Sequence, residues 1–236
     1  MNKKTQYQIL LVVLVVIAII NITVLLTAND IFSNNVYSVT TIGNNTNGTV
    51  YKIIAGNPSS NETVGIILGV HPREHEIHEA VNETLYNITS QNGDQNLTKR
   101  YVVYYVQAND NLTSREDTRS AGEELSQEYI VPNIVNDNPF IVVDVHEIDP
   151  IYEYSNFLFS LSNRTPQINS YIDKITDGVG IVDFNFTEGT SPEKVTMPIA
   201  NKGIPTILVE TSITNDLNQK QETANRLVKT LDELSP

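Results

Sequence analysis

Apolar runs alternate with polar turns along most of the chain after residue 36, and this spacing predicts β-strands. The runs VGIILGV (residues 64–70) and FIVVDV (residues 140–145) are apolar almost throughout. Such runs are typical of strands buried on both faces of a parallel or mixed sheet. Strands are predicted at residues 37–41, 50–55, 64–70, 101–107, 140–145, 157–161 and 206–209.

Between these runs the apolar positions change to helical spacing. In residues 76–90, Ile77, Val81, Leu85 and Ile88 form one stripe, as in a helix that packs on a sheet. Further helices are predicted at residues 121–129, 166–175 and 216–234. The alternation predicts an α/β fold, a three-layer α/β/α domain with a mixed, mostly parallel central sheet.

One apolar run is too long for a strand. Residues 9–28 contain no charged side chain and have the length of ~20 residues that crosses a bilayer. Lys3 and Lys4 precede the run and the next basic residue is Lys52, so residues 1–8 are predicted to be cytoplasmic. We therefore expect a transmembrane signal-anchor at 9–28, a short linker at 29–35 and an extracellular domain at 36–236. The alternative is a cleaved signal peptide, although its apolar region is typically ~7–15 residues and no A-x-A-like site follows.

The composition after residue 36 agrees with an external location. Nine N-x-Thr sequons occur there, against about four expected by chance, which predicts a glycoprotein. The chain has no cysteine, so this domain has no disulfide to stabilise it. Together these features favour an archaeal cell surface. The sequons begin at Asn44, Asn47, Asn61, Asn82, Asn87, Asn96, Asn111, Asn163 and Asn185.

The charge balance excludes one class of partner. Fifteen basic residues stand against 28 acidic ones, for a formal net charge of −13. Nucleic acid is therefore not expected as a partner, because binding to phosphate needs a basic surface.

Two histidines come at the ends of buried runs. His71 directly follows VGIILGV, Glu74 comes three residues later, and His146 follows FIVVDV. Zinc hydrolases commonly use two histidines and one glutamate as ligands and leave a fourth position for water. Asp144, two residues before His146, is a candidate to hold that histidine in place, or is simply a polar residue at a strand end.

Three segments carry a family resemblance. HPRE at 71–74 resembles the H-x-R-E signature of zinc metallocarboxypeptidases, DVHE at 144–147 resembles their later D-x-H strand, and GIPTILVET at 203–211 resembles the strand with their catalytic glutamate. The same skeleton occurs in the related succinylglutamate desuccinylases and aspartoacylases. The resemblance implies one zinc ion per chain on His71, Glu74 and His146, with Glu210 as the base that activates the zinc-bound water.

The substrate-binding residues depart from the family pattern. The Asn-Arg pair that grips a terminal carboxylate in carboxypeptidases does not occur between the two zinc segments. Arg115 and Arg119 are candidates to polarise the carbonyl or bind a carboxylate, unless they are solvated charges on a loop. Arg73 matches the family's substrate-contacting arginine. No tyrosine follows Tyr171 to take the family's late tyrosine position, which leaves Tyr154 and its neighbour Tyr152 as candidates.

A different metal motif overlaps the same residues. HPREH at 71–75 also fits the inverzincin pattern H-x-x-E-H, with His71 and His75 as ligands and Glu74 as the base. That pattern needs one continuous helix, whereas Pro72 disfavours helix at the residue before it. The carboxypeptidase arrangement is therefore preferred.

The expected function is a membrane-anchored, extracellular zinc carboxypeptidase or amidohydrolase that cleaves an amide bond. Its substrate is expected to be a peptide, with a cell-wall peptide favoured by the anchor at the envelope. An N-acyl amino acid deacylase is one alternative. A catalytically inactive binding domain with the carboxypeptidase fold is the other.

Overall fold

The computed structural model describes residues 35–90, 96–109, 111–186 and 192–236. The predicted cytoplasmic segment, signal-anchor and all but the last residue of the linker lie outside these ranges. No helix within the described ranges has the length and apolar character that a bilayer crossing requires.

The described residues form one eight-stranded mixed sheet, and all seven predicted strands are present. The strands are β1 (Val36–Asn45), β2 (Gly48–Gly56), β3 (Thr63–Leu68), β4 (Arg100–Ala108), β5 (Ile141–Ile148), β6 (Phe157–Ser160), β7 (Val182–Asp183) and β8 (Thr206–Ser212). Their order across the sheet is β1-β2-β4-β3-β5-β8-β6-β7. Strands β4, β3, β5 and β8 run parallel to one another. The β1–β2, β2–β4 and β6–β8 pairs are antiparallel, and the β6–β7 pair is parallel.

The centre of the sheet explains its apolar sequence. All residues of β3 are buried between β4 and β5, and all residues of β5 are buried between β3 and β8. Both faces of these parallel strands are covered by packed helices, so the strands read as continuous apolar runs. The carboxyl ends of β3, β5 and β8 consequently lie side by side, at the edge of the sheet where open α/β folds place their sites.

Five α-helices are described: α1 (His75–Ser90), α2 (Arg115–Leu125), α3 (Pro166–Val179), α4 (Met197–Ala200) and α5 (Leu217–Glu233). Local capping fixes several of their ends. The side chains of Ser114 and Thr165 accept backbone N–H bonds at the starts of α2 and α3, and Asp216 forms a capping box at the start of α5. Helix α3 stops at Gly180, which takes the left-handed φ of 82° that favours glycine.

The helices cover both faces of the sheet, as a three-layer α/β/α domain requires. Ile77 of α1, Ile172 of α3 and Leu227 of α5 belong to the apolar cluster on one face. Leu125 of α2 and Ile199 of α4 belong to the cluster on the other face. Residues alternate along β3, so that its neighbouring side chains feed the two clusters in turn.

The sequence patterns did not predict two short elements, and one predicted helix boundary was wrong. The strand Val182–Asp183 and the helix Met197–Ala200 are too short to show a periodic pattern. Helix α2 begins at Arg115 rather than near residue 121, and continues as a π-helical turn over Ser126–Ile130. The early start follows from the Ser114 cap, and it places two arginines on a helix rather than on a loop.

Candidate metal centre

The first histidine lies where a buried strand turns into a short helix. Strand β3 ends at Leu68, and His71 keeps an extended backbone with φ −112° and ψ 100°. Pro72 then opens a 3-10 turn over Pro72–Glu74, because its ring fixes φ in the helical range. The turn folds Glu74 back, so that its Oε1 lies 2.9 Å from Nδ1 of His71.

The second histidine comes from strand β5, the parallel neighbour of β3. His146 is buried, and its Nδ1 lies 2.9 Å from Oε2 of Glu74 and 3.1 Å from Nδ1 of His71. Strand β5 continues to Ile148, because it stays paired with β8 as far as Ser212. The histidine therefore lies inside the strand, whereas the sequence pattern predicted it at the end of the strand.

His71, Glu74 and His146 form a buried group whose ligand atoms lie within 4.8 Å of one another, close enough to hold a metal ion. The outer nitrogen of each ring faces a carboxylate: Nε2 of His71 lies 3.3 Å from Glu123, and Nε2 of His146 lies 3.0 Å from Asp144. A histidine that donates from Nε2 presents a lone pair on Nδ1. Two such lone pairs 3.1 Å apart repel unless a proton or a metal ion lies between them, and with the carboxylate of Glu74 they form a donor set that fits a metal.

The charges of the group are adjusted by its own contacts. Burial disfavours the ionised form of Glu74, but hydrogen bonds from His146 and His71 outweigh it and lower the pKa of this carboxyl. Burial also disfavours the charged form of His146, but Asp144 and Glu74 outweigh it and raise the pKa of this ring. Glu74 is therefore ionised at neutral pH, as a carboxylate ligand must be.

Glu210 faces the group from strand β8, where its register partner on β5 is His146. Burial raises the pKa of the Glu210 carboxyl to about 8; Glu74 and Asp144 add to the shift, while His146 and Arg119 oppose it. Its buried Oε2 has no hydrogen-bond partner within the described part of the chain. A carboxyl whose pKa lies near neutrality is suited to accept and return a proton.

Two cavities open beside the group. One of ≈ 220 Å³ includes Arg73, Thr118 and Ile213 in its lining, and one of ≈ 100 Å³ includes Tyr152, Phe186 and Glu210. Because they share much of their lining, they form two parts of one depression over the metal group. The residues common to both are His71, Glu74, Arg115, Arg119, Glu147 and Asp149.

The two helical arginines lie one turn apart on α2 and point to this depression. Arg119 reaches the metal group, with Nη1 4.0 Å from Oε1 of Glu74. Arg115 is 61% exposed and lies 3.7 Å from Asp149 at the rim. The two predicted candidates are thus distinguished: Arg119 is close to the ligands, whereas Arg115 is mostly in solvent.

The other predicted substrate residues differ in their placement. Arg73 lines the larger cavity and donates to the backbone carbonyl of Thr113 at 2.7 Å. Tyr154 packs against Phe184 with tilted rings whose centroids are 5.1 Å apart, and it lines neither cavity. Its neighbour Tyr152 does line the smaller one. Tyr152 is therefore the better placed of the two tyrosines.

The inverzincin arrangement is not formed. His71 is extended rather than helical, and His75 is an exposed residue at the start of α1. His78 is buried, with Nε2 2.8 Å from the carbonyl oxygen of Val145, and burial is the main cause that lowers its pKa to about 4. Neither His75 nor His78 belongs to the metal group.

Glu123 was not predicted as a site residue, although it contacts His71. It lies on α2, and this helix approaches the end of β3 only because Gly122 precedes it. A Cβ at Gly122 would lie 2.0 Å from the carbonyl oxygen of Val70. A glycine in the middle of a helix, followed by acidic residues, was the only local signal for this approach.

A buried lysine that belongs to no sequence motif also stabilises the wall of the site. Lys220 of α5 is fully buried, pairs with Glu147 at 2.7 Å and also contacts Glu76. Glu147 follows His146 directly and lines both cavities. Helix α5 therefore holds part of the cavity wall by an ion pair that joins residues 73 positions apart in sequence.

No protein-family model matches the chain, and no curated protein matches it. Solved structures do match. A Burkholderia mallei protein provisionally assigned as a carboxypeptidase is 15% identical, with a TM-score of 0.59, over 84% of this chain and 63% of its own. A Pseudomonas aeruginosa metallo-carboxypeptidase in complex with (2-guanidinoethylmercapto)succinic acid is 12% identical, with a TM-score of 0.56, over 83% of this chain and 64% of its own.

An aminopeptidase has a comparable fold. LapA of Legionella pneumophila is 11% identical, with a TM-score of 0.55, over 85% of this chain and 60% of its own. The chain thus spans less than two thirds of the length of these three proteins. The similarity shows that the described residues adopt the fold of these metallopeptidases, and it confirms, at the level of the fold, the resemblance inferred from the sequence motifs.

Proposed function

We propose that this chain is a zinc-dependent peptidase of the carboxypeptidase type, with Glu210 as its general base. The observation that carries the proposal is the convergence of His71, Glu74 and His146, with Glu210 beside them on the next strand. Two nitrogens and one carboxylate are a donor set that favours zinc and leaves a coordination position open.

Glu210 and Arg119 would have separate roles beside the bound metal. When bound, zinc supplies Lewis-acid polarisation of a carbonyl and of water. Glu210 has a raised pKa and a free carboxylate oxygen, so it can take a proton from the attacking water and return it to the leaving amine. Arg119, 4.0 Å from Glu74, is placed to stabilise negative charge that develops on the carbonyl oxygen.

The depression favours a substrate that carries a carboxylate. Arg73, Arg115 and Arg119 line the larger cavity, where acidic Glu147 is neutralised by Lys220. Guanidinium groups bind carboxylates through paired hydrogen bonds. A peptide with a free carboxyl terminus is therefore the proposed substrate, and an N-acyl amino acid is the second class to be tested.

The first test is metal content, measured by elemental analysis of the full-length chain purified in detergent. We expect one zinc per chain, and loss of it in His71→Ala. The matched control is His75→Ala, which removes an exposed histidine four residues away and should keep the metal. Equal metal in all three proteins, or metal in none, would contradict the proposal.

The second test separates catalysis from binding. Glu210→Gln should retain zinc and lose about 10²- to 10⁴-fold in hydrolysis, because a neutral amide cannot act as a base. Peptides with free carboxyl termini, cell-wall peptides and N-acyl amino acids are offered in parallel. Zinc binding without hydrolysis of any of them would instead indicate a binding domain with the carboxypeptidase fold.

We also propose that residues 9–28 anchor the enzyme in the cell membrane, with the domain outside and cell-wall peptides as substrates. The uncharged run and the two lysines before it support this orientation. A full-length chain that leaves the membrane fraction under alkaline carbonate wash would contradict the anchor.

A further inference from the structure

The two ligand histidines are each held from behind by a carboxylate, and the two carboxylates come from different elements. Glu123 on α2 faces Nε2 of His71 through its Oε1, at 3.3 Å. Asp144 on β5 faces Nε2 of His146 through its Oδ1, at 3.0 Å. In each carboxylate one oxygen is thus committed to a histidine, and the other oxygen needs a separate partner.

Both remaining oxygens are bound by a single short turn. Over Pro192–Thr196 the chain forms a π-helical turn before helix α4. Lys194 places its Nζ 2.6 Å from Oε2 of Glu123, and the Thr196 hydroxyl donates to Oδ2 of Asp144 at 2.7 Å. One five-residue segment therefore contacts both carboxylates, each at the oxygen that does not face the histidine.

Because the two carboxylates are buried, the loss of either contact would be costly. Glu123 and Asp144 are 2% and 0% exposed, and Thr196 is also 0% exposed. A buried carboxylate oxygen that loses its donor is costly, so the carboxylate would rotate or shift to find another. Between the two contacting residues, Val195 is buried in the apolar cluster on that face of the sheet, which fixes the turn in place.

We infer that Lys194 and Thr196 are positioning residues that set the metal affinity of the centre. They do so by fixing the two carboxylates that orient His71 and His146. This inference rests on the proposed metal binding, and it adds to it a segment with no metal ligand of its own. Partners that orient metal ligands typically change metal affinity by about 10- to 100-fold when they are removed.

Matched substitutions test each contact. Thr196→Val keeps the shape of the side chain but removes the hydroxyl, whereas Thr196→Ser keeps the hydroxyl. Lys194→Met removes the charge and keeps the length, whereas Lys194→Arg keeps the charge. Lys202→Met, at an exposed lysine beyond α4, controls for the loss of a positive charge elsewhere.

The readout is the zinc dissociation constant of the full-length chain, measured by competition with a chelator of known affinity. We expect about a tenfold or greater weakening in Thr196→Val and in Lys194→Met, with the serine, arginine and Lys202 variants close to the parent. The visible spectrum of the cobalt-substituted chains should change in the same two variants, because reoriented histidines alter the coordination geometry. A loss of stability alone would leave this spectrum unchanged.

The outcomes are separable. Zinc affinity and cobalt spectra that are unchanged in both Thr196→Val and Lys194→Met would overturn the inference, even if both variants were less stable. A parent chain that binds no metal would refute the proposed function itself, and would show in every variant alike. Circular dichroism in chelator checks folding first, and if Thr196→Val does not fold, Lys194→Met carries the test because its side chain is 43% exposed.

Discussion

Two charge clusters in the described domain, one partly buried and one buried, differ in how their charges are balanced. Just before strand β5, Asp137 lies 2.6 Å from Lys52, 3.7 Å from Arg100 and 2.5 Å from the hydroxyl of Tyr104. One carboxylate thus has two permanent cations and a neutral donor. This cluster is complete within the protein, as expected for a structural network.

The metal centre lacks that completeness. Glu74, Asp144 and Glu210 gather around two histidines, and Arg119 stays 4.0 Å from the nearest ligand oxygen. Burial raises the pKa of the Glu210 carboxyl to about 8, and the nearby charges of Glu74 and Asp144 add to this shift, so that the carboxyl takes up a proton near neutral pH. A buried group of two histidines and a carboxylate whose ligand atoms converge can bind a cation from outside.

The largest expected effect is on stability in the presence of metal. With free zinc at 1,000 times its dissociation constant, the metal should add about 4 kcal/mol to the free energy of unfolding. Chelator should remove this gain in urea or thermal unfolding. The His71→Ala chain should unfold at the same midpoint with and without chelator, and a parent chain that does likewise would contradict the distinction between the clusters.

The next largest effect concerns the structural cluster. Asp137→Asn should lower the free energy of unfolding by about 2 kcal/mol, because it removes the counter-charge of Lys52 and Arg100, whose side chains are 25% and 26% exposed. Metal content should not change. The matched control is Asp183→Asn, which breaks an exposed pair with Arg164 and should cost less than about 1 kcal/mol. If the two substitutions cost the same, burial of Asp137 does not carry the stabilisation that we assign to it.

The smallest effect is a pH dependence of the metal-free chain. Folding raises the pKa of the Glu210 carboxyl to about 8, so the folded state favours its protonated form. The contribution of this group to the free energy of unfolding is therefore fully present below its unfolded pKa of about 4.5, and it is lost as the pH rises towards 8. Glu210→Gln should therefore stabilise the metal-free protein at pH 9, and leave it unchanged at pH 4. Urea unfolding in chelator at the two pH values measures this, and an equal difference at both would contradict it.

The elements of the fold were largely predictable because burial imposes a pattern on them. The run VGIILGV marked β3, a strand buried on both faces, and the stripe from Ile77 to Ile88 marked helix α1. Strand Val182–Asp183 was missed because two residues cannot show a period. Helix α2 was placed too late because its first turn is polar and exposed, so that only its cap at Ser114 signalled its start.

The metal group was predictable because its residues lie in, or shortly after, buried strands. His71, Glu74 and His146 stand beside buried runs, and parallel strands bring such residues together at one edge of the sheet. The residues behind them were not predictable. Glu123 is 52 positions from His71, and Lys194 is 71 positions from Glu123, with no local pattern to connect them.

The sequence by itself therefore determined the layered fold and the three candidate ligands, and it predicted Glu210 as the base, because each of these follows from a local alternation or a short motif. Only the tertiary structure decided which carboxylates hold the histidines, which arginine reaches the centre and which turn supports both carboxylates. The physical reason is that these contacts are long-range and directional. They depend on how closely α2 and the turn at Pro192–Thr196 approach the strand ends, and packing of distant residues sets that approach.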